Sequence, residues 1–107
     1  MALYMVQAAY SQEATARLVQ HPQNRAEAIK PVIEKLGGSL KHVWFALGEW
    51  DAIAIIEMPD NASAVAFSIA AGAAGGVKAF KTTPLMTVEE GVHAMKKAGE
   101  CGYQPPK

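Results

Sequence analysis

The segment Gly48-Glu49-Trp50-Asp51 places two carboxylates on either side of an indole. Such a pair can do acid–base work if the indole raises the pKa of one carboxyl, which then keeps its proton, while the other carboxyl stays ionised. The same residues also suit an ordinary turn, in which Gly48 gives backbone freedom, Asp51 accepts hydrogen bonds from nearby amides and Trp50 packs. Both interpretations stay open, and no catalytic residue is assigned.

A histidine and a tryptophan lead into this segment. His42 and Trp44 alternate along a predicted strand, so we expect them on one face together with Leu40 and Ala46. There they can hold a ligand in a pocket between the sheet and its helices. The alternative is an edge-strand histidine that is hydrogen-bonded to backbone or water.

Carboxylates, a large aromatic side chain and a flexible glycine coincide only at this turn. A rigid aromatic ring is a good anchor for a planar or apolar ligand, so we predict that the turn and the strand before it form one wall of a ligand site. The alternative is that Trp50 fills a subunit interface. The predicted ligand-binding residues are His42, Trp44, Glu49, Trp50 and Asp51.

Other reactive side chains give weaker patterns. The three histidines lack the i, i+4 spacing of a metal-binding helix, and Cys101 is the single cysteine, so we predict neither a metal site nor a cofactor. Lys81 with Thr82 and Thr83 can bind an anion, but solvated polar groups near the end of an edge strand are the simpler explanation.

The overall charge excludes some classes of partner. Ten acidic residues balance ten Lys and Arg in 107 residues. Nucleic-acid binding and electrostatic membrane binding usually need a basic excess, so we expect neither partner. The N-terminal segment is typical of a strand rather than of a signal peptide, and a cytoplasmic location is expected.

Hydrophobic periodicity and breaker residues predict four strands and four helices. The predicted strands are 2–10, 40–47, 52–58 and 77–86, and the helices are 12–20, 24–36, 61–74 and 88–98. Pro31 predicts a kink near Ala28 or a helix that begins after Asn24. Merging the first two helices gives an α+β, ferredoxin-like βαββαβ antiparallel sheet with an extra C-terminal helix. Residues 1–99 form this single domain, and residues 100–107 a loose tail.

The charges agree with this topology, which places the first and third strands in the middle of the sheet. Lysines fall on the second and fourth strands, and lysine on an edge strand blunts edge pairing. The two central strands are apolar on both faces, whereas helices in this fold cover only one. We therefore predict a homo-oligomer that covers the open face, or else a last helix folded over it.

Several segments resemble the GYD-domain family of small bacterial and archaeal proteins. The resemblance covers about nine tenths of the chain, and the segments that carry it are 1–8, 25–38, 48–51, 54–61 and 81–87. The family's Gly-Tyr-Asp signature corresponds to Gly48 and Asp51 around Glu49-Trp50, with tryptophan in place of tyrosine. The resemblance implies a dimeric, α/β-barrel-like assembly of ferredoxin-like domains and implies little about activity.

Three functions remain compatible with the sequence. The first is an oligomeric carrier or regulatory domain that binds a small, mostly apolar ligand. The second is a small enzyme of the cofactor-independent monooxygenase or isomerase kind, and the third is a purely structural assembly protein. An enzyme should show a shielded histidine or carboxylate in a cavity, a binding protein a cavity without such a group, and a structural protein no cavity.

Overall fold

The computed structural model describes residues 1–106; Lys107, the end of the predicted tail, lies outside them. Its strands and helices follow one another in the predicted order. The strands are β1 (Ala2–Tyr10), β2 (Ser39–Phe45), β3 (Ala52–Met58) and β4 (Val77–Leu85). The helices are α1 (Gln12–Gln20), α2 (Arg25–Lys35), α3 (Asn61–Ala73) and α4 (Val88–Glu100). Residues 101–106 follow α4, are exposed and belong to no helix or strand.

The four strands form one antiparallel sheet in the order β2-β3-β1-β4. This order confirms the α+β, ferredoxin-like fold and the prediction that the first and third strands are central. Along the β1–β3 pair, Tyr4 lies opposite Ile56 and Ala8 opposite Ala52. Along the β1–β4 pair, Ala8 also lies opposite Phe80.

Side-chain caps start all four helices. The predicted caps Ser11, Asn24 and Thr87 each accept a hydrogen bond from the first turn of their helix. With Asn24 as its cap, α2 begins at Arg25, so the alternative of a start further along the chain is not observed. Pro31 lies in its seventh position, inside the continuous helix.

The fourth cap is Asp60, which starts α3. Hydrogen bonds from Ser63, its backbone amide first and then its hydroxyl, lower the pKa of the Asp60 carboxyl below 3.8. Because the folded-state pKa is the lower one, the contribution of this cap is complete above the unfolded pKa. It is lost as the pH falls through the folded value.

Large buried side chains are concentrated at one end of the sheet. Ile33 of α2 and the β3 residues Ile56 and Met58 are fully buried. They pack with Tyr4 of β1 and Phe67 of α3 in a single core cluster. Since β1 and β3 are antiparallel, the first half of β1 and the second half of β3 build the same end of this core. The helices are thus held on the sheet mainly from that end.

The other face of the sheet carries no helix. Its central side chains, Met5, Ile53 and Ile55, are only half-buried, and Leu3 is exposed. The alternative that the last helix covers this face is not observed, because α4 buries no side chain. Its apolar residues Val88, Val92 and Met95 are exposed. An apolar sheet face and an apolar helix stripe are therefore both uncovered in the single chain.

The third helix is less buried than its charge-free sequence suggests. Only Ala64 and Phe67 of α3 are buried, whereas Val65 and Ile69 are exposed. The inward face of α3 is thus not distinguished from its outward face by charge. Within residues 1–106, no helix is both long and apolar enough to cross a membrane.

Substitutions at two glycines test the packing at the core end, where Gly38 lies; Gly72 of α3 provides the comparison. A Cβ atom at Gly38 would overlap the sulfur of Met58 and the carbonyl oxygen of Glu57, whereas one at Gly72 of α3 would meet no atom within 4 Å. We expect Gly38→Ala to lower the free energy of unfolding by about 1–3 kcal/mol through overpacking. Gly72→Ala should raise it by about 0.5–1 kcal/mol, because alanine is the better helix former. Urea unfolding measures both, and equal effects of the two substitutions would contradict the packing described.

Candidate functional site

A cavity of about 260 Å³ lies between the sheet and helices α2 and α3, at the end of the sheet opposite the large core residues. It is open to solvent on one side. Its lining is almost entirely apolar. The lining residues are Val6, Ala8, Tyr10, Arg25, Ala28, Ile29, Val32, Val43, Ala52, Ala54, Phe67, Ala70, Ala71, Ala74, Val77 and Phe80.

Alanines explain why this space is empty. Seven of the sixteen lining residues are alanine: Ala8, Ala28, Ala52, Ala54, Ala70, Ala71 and Ala74. They come from both central strands and from both helices, so small side chains face each other across the gap. The helices cannot close on the sheet there, because the large residues of the core cluster hold them at the other end.

Aromatic rings define the β4 side of the cavity. Phe67 of α3 and Phe80 of β4 meet edge to face, with ring centroids 6.0 Å apart. Next to them, the hydroxyl oxygens of Ser68 and Thr82 lie 2.7 Å apart in a hydrogen bond between the same helix and strand. This bond fixes α3 on β4, so the distance between the two rings is set by the fold.

The turn before β3 is hydrogen-bonded to the end of β1 at the open side, or mouth, of the cavity. The Tyr10 amide donates to Oδ2 of Asp51 over 2.8 Å, and the Asp51 amide donates to the Ala8 carbonyl over 2.9 Å. Both Ala8 and Tyr10 line the cavity. Asp51 therefore bonds nearby amides, as the turn interpretation predicted, and it positions Tyr10 at the point where β1 ends.

Glu49 and Trp50 do not line the cavity. Glu49 is exposed and Trp50 is half-buried in the connection between β2 and β3. Gly48 has φ +105°, a backbone conformation that favours glycine, so this residue allows the turn. The structure brings Asp51 to the rim of the cavity and leaves the other carboxylate in solvent. A ligand contact by Glu49 or Trp50 stays a prediction.

His42 and Trp44 stack on each other, with ring centroids 5.1 Å apart and planes 17° apart. They lie opposite Ile55 and Ile53 of β3, on the sheet face that carries no helices. Their predicted position between sheet and helices is therefore wrong. The reason is an irregularity at Lys41, where one extra residue in β2 shifts the side-chain alternation.

The extra residue in β2 also separates Leu40 from its predicted neighbours. Leu40 lies opposite Ile56 and packs against the core cluster, on the other face from His42 and Trp44. Trp44 nevertheless borders a second depression, of about 300 Å³, which shares Tyr10, Arg25, Val43 and Ala52 with the main cavity. Of the predicted ligand-binding residues, Trp44 and Asp51 are thus adjacent to the cavity, and His42 contacts Trp44.

Arg25 is a site residue that the sequence analysis missed. It is the first residue of α2 and lines the main cavity, the depression beside Trp44 and a further one beside α1. The signal was present in the spacing, because Arg25 precedes Ile29 by four residues and Val32 by seven, on the stripe that faces the sheet. A cation on an apolar stripe is a notable exception to that pattern.

The lining of the main cavity contains few polar side chains. Among residues 1–106, no Asp, Glu or His lines the main cavity, and its polar side chains are Tyr10 and Arg25. Apolar surroundings with a few polar groups at one end can bind and orient a small molecule.

Comparisons with known proteins gave one result. The family model described as GYD domain matches residues 4–95, which include seven of the eight elements wholly or nearly so and most of α4. The match confirms the resemblance inferred from the sequence. No curated protein and no solved structure matched the chain.

Substitution of Asp51 tests its role at the mouth. Asp51→Ala removes the acceptor of the Tyr10 amide, and a lost hydrogen bond to a charged group typically costs ~1.5–3 kcal/mol. We expect this loss in the free energy of unfolding, with the NMR signals of Tyr10 shifted. Glu49→Ala, two residues away and exposed, is the control and should change stability by less than about 0.5 kcal/mol. Equal stability of the two variants would show that Asp51 does not hold this turn.

Proposed function

This chain belongs to the GYD domain family, and we propose that it binds a small, mostly apolar ligand in a carrier or regulatory role. The observation that carries the proposal is the alanine-lined cavity between the sheet and helices α2 and α3. An apolar cavity of about 150 Å³ is sufficient to bind benzene. A cavity of about 260 Å³ has room for a substituted ring or a medium-length alkyl chain.

The cavity is supported by a rigid frame, which favours a permanent binding space. Its floor is the pair of central strands, and its aromatic side is fixed by the Ser68–Thr82 hydrogen bond. Preformed apolar pockets with few polar groups are the usual form of small-molecule sites. In this proposal Asp51 positions Tyr10 at the rim, and Trp44 borders the entrance.

The proposal includes assembly with a second copy of the chain. Two apolar surfaces are uncovered: the open sheet face around Leu3, Met5 and Ile55, and the α4 stripe of Val88, Val92 and Met95. A 13-residue helix that buries none of its side chains is marginal in water. Each copy offers the same two surfaces, so a two-fold interface can cover both, while the ligand cavity lies on the opposite side of the sheet.

A cavity-filling substitution tests ligand binding. Ala71→Leu should place a larger side chain in the cavity, whereas Ala73→Leu places it on the exposed side of the same helix. We expect wild-type protein to bind 1-octanol saturably in NMR titrations, with shifts at Phe67 and Phe80. Ala71→Leu should weaken binding at least about tenfold and raise the free energy of unfolding by ~0.5–2 kcal/mol.

The Ala73→Leu control should bind 1-octanol like the wild type. Unchanged binding by the Ala71→Leu variant, or a wild type that shows no saturable shift, would refute ligand binding in this cavity.

A charged residue on the open face tests assembly. Leu3 is exposed in the single chain, so Leu3→Lys should fold, yet an interface on this face would bury the new charge. By sedimentation at micromolar concentration, the wild type should be a dimer or larger, and Leu3→Lys should weaken association more than about tenfold. Val19→Lys, at an exposed apolar residue of α1, should leave association unchanged. A monomeric wild type of 11.4 kDa would contradict the proposal.

A further inference from the structure

We propose that the ligand is a monocarboxylic acid with an apolar body, whose carboxylate binds Arg25 at the mouth of the cavity. This inference rests on the proposed function and specifies its ligand class. It starts from one observation: Arg25 is the only charged residue in the cavity lining of residues 1–106.

The position of Arg25 is unusual for a charged residue. It is half-buried and borders the main cavity together with both depressions that adjoin it. These three spaces therefore meet around its side chain. A ligand whose apolar body occupies the alanine-lined cavity would have its exposed end beside this guanidinium.

The guanidinium has unused capacity for an anion. In the described part of the chain, Arg25 pairs with no carboxylate, and its Nη1 donates to the neutral Oε1 of Gln23 over 2.9 Å. A guanidinium carries five N–H donors in a fork that matches a carboxylate in two parallel hydrogen bonds. The guanidinium of Arg25 makes one exposed hydrogen bond to an amide oxygen and thus has further donors for a ligand.

The neighbouring charges favour an anion rather than a cation. No acidic residue of the described chain lines the cavity or either adjoining depression, and the carboxylate of Asp51 at the rim already accepts a hydrogen bond from the Tyr10 amide. The depression beside α1 contains a second guanidinium, Arg17, which lies 3.8 Å from Glu13 in an exposed ion pair. One free guanidinium at an apolar cavity matches a single negative charge on an apolar molecule.

Two of the backbone donors at the start of α2 are already used within the helix. The Asn24 side chain already accepts from the amides of Ala26 and Glu27. Selectivity for an acid over a neutral molecule of the same body therefore depends on the Arg25 side chain.

A matched pair of probes tests the inference. Octanoate and 1-octanol share an eight-carbon chain and differ in the charge of the head group. In calorimetric titrations at pH 7, we expect the wild type to bind octanoate at least about tenfold more tightly than 1-octanol, as one charged hydrogen-bonded pair implies. Arg25→Gln should abolish this preference by weakening octanoate while leaving 1-octanol unchanged.

Two further variants distinguish a direct contact of the carboxylate with Arg25 from a general effect of positive charge on α2. Lys30→Gln removes one positive charge from an exposed position of α2 that does not line the cavity, and it should keep the preference. Arg25→Lys should retain part of the preference, because lysine keeps the charge without the two-pronged geometry.

The outcomes distinguish the inference from the proposed function. Equal affinity of the wild type for both probes, or a preference that survives in folded Arg25→Gln, would overturn the carboxylate assignment and leave apolar binding in place. No binding of either probe would overturn the proposed function and this inference with it.

Discussion

The size of the side chains between the sheet and its helices governs the rest of the structure. At one end, Ile33, Ile56 and Met58 are fully buried and hold the helices on the sheet. At the other end seven of the sixteen lining residues are alanines, which are too short to meet across the same separation. Since secondary-structure elements are rigid over a few turns, close packing at the first end leaves a cavity at the second.

The polar groups also differ between the densely packed end and the open end. Where the core is dense, the helix-facing side of the sheet carries no buried charge. Where it opens, Arg25 and Tyr10 lie at the rim, and Asp51 fixes the Tyr10 backbone from the adjoining turn. The carboxylate of the Gly-x-x-Asp turn thus orders the neighbouring end of β1. The two apolar surfaces that remain uncovered lie away from the cavity, so assembly and ligand binding can use separate faces of one sheet.

Sequence reasoning found the parts of this structure that depend on local rules. Capping residues and alternating hydrophobicity predicted the elements, and lysines predicted the edge strands. A pocket between the sheet and its helices was expected, but its alanine lining could not be predicted, because an alanine in a sequence indicates only a preference for helix. Whether alanines enclose space depends on how closely large neighbours such as Phe67 approach. The face of His42 and Trp44 was missed because an irregularity at one residue, Lys41, reverses the alternation, and no local signal in β2 marks it. Arg25 could have been identified from its helical spacing to Ile29 and Val32, which places it on the stripe that faces the sheet.

The central claim is that the fold maintains an apolar cavity bounded by Ala54, Phe67 and Phe80. A crystal structure determined under xenon pressure tests it most directly, because xenon occupies apolar cavities that water leaves empty. We expect a xenon peak, or a co-purified apolar ligand in its place, between the two phenylalanine rings and the alanines of α3. Absence of any such peak, with the Phe67 side chain turned into the space and α3 packed against the strands, would contradict it.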